Sequence, residues 1–309
     1  MSILRLKDQW LSEFDRKPFH FEHDLATNET LKLESLREVV LSLPREQVFA
    51  SRADLKIDTD FDNAHKDHAI DRSLEATLAD MATTNAYVMV RQPDTHPRLR
   101  PVLELFMSEL RENIRKSQTS GGTFFAPGVS EAFHDPMLYL FISSPNSVTP
   151  FHVDRYSTLL LQLQGEKDVM IWDRHDRDTV TEEELESLFG EPYVKNPSYK
   201  GMRTREPHTA HLVKGQGVHI PFTAPHWVKN GPTVSVSLSF ICQTDAALRD
   251  ANAYNFNYRW RKLISKIPSP IPRPPIKSVG ESEIVDTTKA RVYKSVSGLK
   301  RRLYGRASA

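Results

Sequence analysis

Apolar residues follow two different patterns along this chain, and the change between them divides it. Over the first third they recur at helical spacing. Leu31, Leu33, Leu36, Val39, Val40 and Leu43 predict a helix over 30–43, and Pro44 stops it because it lacks an amide hydrogen and clashes with the preceding turn. The spacing predicts two more helices, over 70–81 and 100–116, the latter with Val102, Leu105, Phe106 and Leu110 on one side. Between them a β-rich run, 86–90, is expected to add a strand to the core sheet.

From 121 to 240 the pattern turns to short apolar runs separated by Gly and Pro turns. The runs 138–142, 159–163 and 169–172 are of strand length, which predicts a double-sheet jelly roll with a pocket between its inner faces. Tyr139 and Phe141 share one strand face and are expected to wall that pocket. An insertion at 173–207, rich in Glu, Asp and Arg, interrupts the strands with a helix expected at 181–189. It either touches substrate at the barrel mouth or covers a sheet edge. A further helix over 246–264 would pack on the barrel or on a second subunit, and Pro268, Pro270, Pro272, Pro274 and Pro275 then read as an extended linker. The fold class is α+β: residues 1–118 mostly helical and packed on the core, 119–245 a double-stranded β-helix (jelly-roll) core, and 246–309 a C-terminal helix and basic Pro-rich tail.

Composition narrows the setting. At 309 residues, 39% hydrophobic and 26% charged, the chain fits a soluble globular protein of one large or two modest domains. No run approaches the roughly 18 apolar residues of a membrane span, and the first eight residues have no apolar signal core. A cytoplasmic location is the expectation. The single Cys242 excludes an intramolecular disulfide and a thiolate zinc cluster, and reads as a small buried apolar residue. The net charge of +1 hides an asymmetry, since residues from Lys262 onward carry +8 and the remainder −7. That suggests an arm for an anionic partner, without specifying RNA, DNA or phospholipid.

Candidate chemistry centres on His152-Val-Asp154, set between two β-rich runs. Alternate residues of an extended strand share a face, so this imidazole and carboxylate project the same way, about 6.6 Å apart. Downstream, 217–226 reads as a short strand and a Pro-bounded turn ending in His226. Two His and one carboxylate bind one face of a metal and leave other positions open, the pattern of non-haem Fe(II) oxygenases. The same short pattern recurs at His20-Phe-Glu22 and His65-Lys-Asp67, in polar, turn-rich sequence, and a neutral His bonded to a nearby carbonyl is the plainer reading of the pair alone. Lys167 follows the turn Gln164-Gly165-Glu166, where a hairpin could bring its ammonium to the site as a fixed cation for an anionic co-substrate; a solvated strand-end lysine is the alternative.

Taken together, Asn146-Ser-Val-Thr-Pro-Phe-His-Val-Asp154, Gln162-Leu-Gln-Gly-Glu-Lys167 and Ile220-Pro221 with Pro225-His226 resemble the JmjC or cupin-like 2-oxoglutarate dioxygenases. The similarity is strongest to the asparaginyl hydroxylase that inhibits hypoxia-inducible factor, and covers about 87–240. The resemblance implies that His152, Asp154 and His226 hold Fe(II), and that Lys167 and Thr149 bind the distal carboxylate of 2-oxoglutarate. Tyr87 takes the place of an assisting tyrosine, or is a packed strand tyrosine. It also implies hydroxylation of a C–H bond with O2, releasing succinate and CO2. Thr158 and Ser239 stand where close relatives carry asparagines lining the co-substrate pocket, and Gly215-Gln216 replaces a usual Gly-Asp. These departures bear on the groups behind the metal ligands.

The other histidines read as structural. His20, His23, His65 and His68 are expected in solvated loops, with Glu22, Asp24, Asp58, Asp60 and Asp62 as a candidate substrate-facing rim. His208, His211 and His219 are expected to support the fold, and Trp227 to pack beside the metal or fill the core. The competing class is a non-catalytic cupin-like binding protein with a basic interaction tail. A metal-dependent isomerase or hydrolase on the same barrel is opposed by Lys167. The primary substrate, peptide, protein or small molecule, is not specified by the sequence, nor is a homodimer decided.

Overall fold

The structure is a computed structural model that describes residues 3–7, 9–119, 133–191, 194–201, 205–266 and 276–304. In chain order the first elements are β1 (Leu4–Arg5), α1 (Trp10–Glu13), β2 (Phe19–His23), α2 (Leu33–Ser42), β3 (Val48–Arg52), α3 (Ala64–Asp67), α4 (Leu74–Ala79), β4 (Ala86–Arg91) and α5 (Arg100–Thr119). The barrel strands follow: β5 (His134–Ser143), β6 (Val148–Val153), β7 (Ser157–Gln164) and β8 (Lys167–Ile171). After α6 (Glu182–Gly190) come β9 (His208–Leu212), β10 (Gln216–Ile220), β11 (Pro225–Asn230) and β12 (Ser235–Gln243), then α7 (Asp245–Ile264) and α8 (Glu283–Tyr304).

Two sheets form the core. The larger runs β1-β2-β10-β7-β12-β5-β4-β3 and the smaller β6-β11-β8-β9, with every neighbour antiparallel. The period-two alternation of strands sorts their side chains into layers. On β7, Leu159, Leu161 and Leu163 join Leu138, Leu140 and Ile142 of β5 in an outer cluster beneath α2, α4 and α5. There the helices bury Leu36, Val39, Val40, Leu78, Phe106, Leu110 and Ile114, each worth about 1.5–3 kcal/mol on transfer from water. Leu160, on the opposite face of β7, joins Val169, Ile171, Val218, Ile220 and Val228 between the two sheets. The double-sheet jelly roll read from the sequence is the fold observed.

The hairpin between β7 and β8 turns on Gly165, whose φ is +71°. A Cβ there would lie 2.7 Å from the Val234 carbonyl oxygen, so the turn admits only glycine.

Two expectations are corrected. Besides its helices and the strand expected at 86–90, which is β4 beside β5, the N-terminal region supplies three further strands, β1 and β2 extending the large sheet beside β10 and β3 pairing with β4. The signal was the alternation Phe19-His-Phe-Glu-His23, whose odd members are buried. His20 and His23 therefore lie on a strand rather than in a solvated loop. Burial pushes the His23 imidazole down to about 4, and its Nε2 meets the Gln216 carbonyl oxygen at 3.2 Å. The basic tail is not a free arm through Tyr304, because α8 packs on α7 and buries Val279, Asp286, Lys289 and Ala290 around it. The Pro-rich linker at 268–275 and the stretch 121–132 lie outside the described residues. No helix among the described residues is long and apolar enough to cross a membrane.

Candidate metal centre

His152 and His226 face each other across β6 and β11, paired in register. Further along the same pair Thr149 opposes Val228, so three steps on β6 match two on β11 and the ladder shifts. Such a bulge inserts one residue and re-aims those beyond it. It lets Thr149 and His152, an odd number of residues apart, both line the space between the sheets. Pro150 is tolerated inside β6 because this is an edge strand of the smaller sheet.

Each ring is fixed by a carbonyl two residues upstream. His152 Nδ1 lies 2.8 Å from the Pro150 oxygen and His226 Nδ1 3.0 Å from that of Ala224. A carbonyl only accepts, so each Nδ1 carries a proton, and a neutral ring so held presents its lone pair at Nε2. Asp154, just beyond β6, places its carboxylate oxygens 3.7 Å from both Nε2 atoms. The three potential ligand atoms all lie within 4.8 Å of one another. These separations are too long for hydrogen bonds and suit atoms arranged around a common centre. Burial and the neighbouring His226 push the His152 imidazole down to about 4, so it is neutral at pH 7 and ready to ligate. Phe61 stacks on His152 at 3.9 Å between ring centroids, and Thr158 donates to Asp154 Oδ2 at 3.1 Å.

A cavity of about 270 Å³ opens from this cluster. Its wall includes Tyr87, Thr149, Thr158, Lys167 and Ser239, along with Tyr139 and Phe141 as expected from their shared face. Lys167 opens β8 on the face it shares with Val169 and Ile171, and is 5% exposed. It forms no ion pair or hydrogen bond among the described residues, and burial pushes its ammonium down to about 7. A solvated strand-end position is thereby ruled out. The Tyr87 hydroxyl is buried near Thr149, without a hydrogen bond to any described residue, and burial raises its pKa. Below them, Gln162 bonds Ser235 and Ser237 at 3.0 and 2.8 Å in a fully buried polar layer.

Several lining residues had no motif to announce them. Asn196, from the insertion, receives the Val153 amide at its Oδ1 and donates to Asp62, tying the insertion to β6. Of the expected acidic rim, Asp62 lines the cavity, whereas Glu22 and Asp24 pair with Arg5. Met89 and Arg91 line it because they follow Tyr87 at intervals of two on β4, an alternation visible in the sequence. Phe61 comes from a loop and leaves no such trace. His219 is structural: it accepts the Asp15 amide at Nε2, and its Nδ1 meets the Thr158 carbonyl at 3.0 Å. Trp227 packs against the cluster that includes Phe151 and Trp172, and Cys242 is buried.

No protein-family model matches the chain, and no curated protein does. Solved structures do match. The chain is similar to ycfD of Escherichia coli, described as a ribosomal oxygenase, at 12% identity and a TM-score of 0.45, over 96% of this chain and 68% of that one. A complex of YcfD with cobalt and 2-oxoglutarate aligns at 14% identity and a TM-score of 0.40, over 95% and 67%. The CENP-C cupin domain of Drosophila melanogaster aligns at 13% identity and a TM-score of 0.23, over 34% and 59%.

Proposed function

We propose that this chain is an Fe(II)- and 2-oxoglutarate-dependent oxygenase that hydroxylates a C–H bond of a peptide, protein or small-molecule substrate. The observation that carries this reading is one cavity holding both a two-histidine, one-carboxylate cluster and a buried lysine without a partner among the described residues.

The donor set fits the metal. Two imidazoles and one carboxylate suit a divalent first-row ion and cover one side of it. The hydrogen bonds behind them, from the two rings to carbonyls and from Thr158 to Asp154, hold the ligating atoms in place before any ion arrives. Iron bound there supplies the oxidising chemistry, in which conversion of 2-oxoglutarate to succinate and CO2 is coupled to hydroxylation of the substrate.

The remaining work belongs to the chain. Lys167 binds the distal carboxylate of 2-oxoglutarate, and the hydroxyls of Thr149 and Tyr87 donate to it, which satisfies a buried cation and an orphaned buried donor together. Ser239 and Thr158 line the space between that end and the metal ligands. The charges of a dication, Asp154, Lys167 and dianionic 2-oxoglutarate cancel, so the filled site buries no net charge. Leu160, Ile220 and Val228 keep water from the reacting centre.

Calorimetric titration of 2-oxoglutarate into the protein, with and without Mn(II) in place of iron, tests this reading. One equivalent should bind, and more tightly when metal is present. Absence of binding in both titrations would overturn the proposal.

A further inference from the structure

The cavity wall holds a cation that the chemistry above does not use. Arg91 ends β4 on the face that carries Tyr87 and Met89, four residues and about 13 Å of strand from Tyr87. It therefore lies away from the Lys167 end, in register with Tyr139, which is itself in register with Ser239. Its guanidinium sits 4.4 Å from the Phe49 ring centroid. Among the described residues it has no ion pair, and its buried Nε has no hydrogen-bond partner. No carboxylate lining this cavity forms an ion pair with it among the described residues. Asp62 is committed to the amide and side chain of Asn196, and Arg155, which donates its Nε to the Leu188 carbonyl, adds positive charge. Tyr139 and Tyr156, which feel the Arg91 charge, supply aromatic surface beside it.

We infer that Arg91 binds a carboxylate of the primary substrate, whose apolar or aromatic body lies along Met89, Tyr139 and Phe141 toward the metal centre. This rests on the oxygenase reading, because it assigns Lys167 and the metal to 2-oxoglutarate and leaves Arg91 to the other reactant. A planar guanidinium pairs with a carboxylate through two parallel hydrogen bonds, and one unpaired guanidinium balances one negative charge, where a phosphate monoester carries nearly two. Stacking on Phe49 leaves the fork of donors free while fixing its plane.

The test uses anaerobic protein loaded with Mn(II) and saturating 2-oxoglutarate, so that the Lys167 end is filled. Benzoate, phenylacetate and 3-phenylpropionate are titrated calorimetrically, each against its neutral primary amide. A blocked Ala-Glu-Ala peptide is titrated against its Gln counterpart. At least one acid should bind about tenfold or more tightly than its neutral partner, and Arg91→Leu and Arg91→Gln should abolish that preference while leaving 2-oxoglutarate affinity unchanged. Preference among the free acids identifies a small organic acid, and preference for the Glu peptide alone identifies an acidic side chain. No acid preference in the wild type, or a preference that survives in either folded variant, overturns the assignment of Arg91. Failure of the wild type to bind 2-oxoglutarate refutes the oxygenase reading instead.

Discussion

His152 and His226 stand opposite one another on neighbouring antiparallel strands, ring centroids 4.1 Å apart, each with Nδ1 turned to a carbonyl two residues earlier in its own segment. The symmetry leaves both Nε2 atoms facing the carboxylate of Asp154. Both Nε2 atoms open on the cavity and have no hydrogen-bond donor among the described residues. A shared cation satisfies both.

Removing either ring should therefore cost the ion rather than the fold. His152→Ala and His226→Ala should each weaken Mn(II) or Co(II) binding by more than the roughly 10–100-fold typical of losing a supporting hydrogen bond. Calorimetry measures this, and circular dichroism checks that the β-rich fold persists. Unchanged metal affinity in both variants would be inconsistent with the cluster.

Thr158→Val keeps the side-chain volume and removes only the hydroxyl that donates to Asp154 Oδ2. Freed to rotate, the carboxylate should bind metal about tenfold more weakly, with 2-oxoglutarate affinity at saturating metal affected less. Equal metal affinity in the two proteins would show that Asp154 needs no such support.

Lys167→Met should separate the co-substrate from the metal. Loss of a charge-assisted contact worth about 1.5–3 kcal/mol weakens 2-oxoglutarate binding roughly 10–100-fold, while metal binds as before. Competition with a fluorescent 2-oxoglutarate mimic gives the first number, and calorimetric titration of Mn(II) gives the second.

The same lysine gives the site a pH dependence. Burial pushes its ammonium down to about 7 in the free protein, and a bound carboxylate raises it again. Binding needs the protonated form, so affinity is full below pH about 7 and falls as pH rises toward the pKa of the complex, by at most about tenfold per unit. Titrations between about pH 6 and pH 9 should show this decline in the wild type and a flatter profile in Lys167→Met. An affinity that rises with pH would contradict the assignment.

Much of this site was legible because its residues lie on strands. His152 and Asp154 follow from alternation along one strand and Lys167 from the Gly turn before it, whereas Thr149, Tyr87, Thr158 and Ser239 were reached only through the family resemblance. The order of strands was legible only in part: the run that forms β4 was expected in the core sheet, whereas β2 and its place beside β10 show only through long-range pairing. The bulge that aims His152 is equally silent, since it appears only when β6 is laid against β11. Residues 283–304 were read by charge as an arm, and the positions α8 buries, Asp286, Lys289 and Ala290, are too polar to announce a packed helix.

The close approach of β10 to its neighbours offers a check on the fold itself. A Cβ on Gly217 would meet the Phe21 ring at 2.3 Å and the Leu160 carbonyl oxygen at 2.8 Å. Gly217→Ala should destabilise the protein by about 1–3 kcal/mol, read from denaturant unfolding. A neutral effect would mean that β2 does not lie against β10 as described.

The central claim is that His152, Asp154 and His226 make one redox-active centre served by 2-oxoglutarate. Succinate formed from 2-oxoglutarate under air, with Fe(II) and ascorbate, measures it directly. The wild type should release succinate only with iron present, and Asp154→Ala should release none above the protein-free background. Equal succinate from the two proteins would contradict the account.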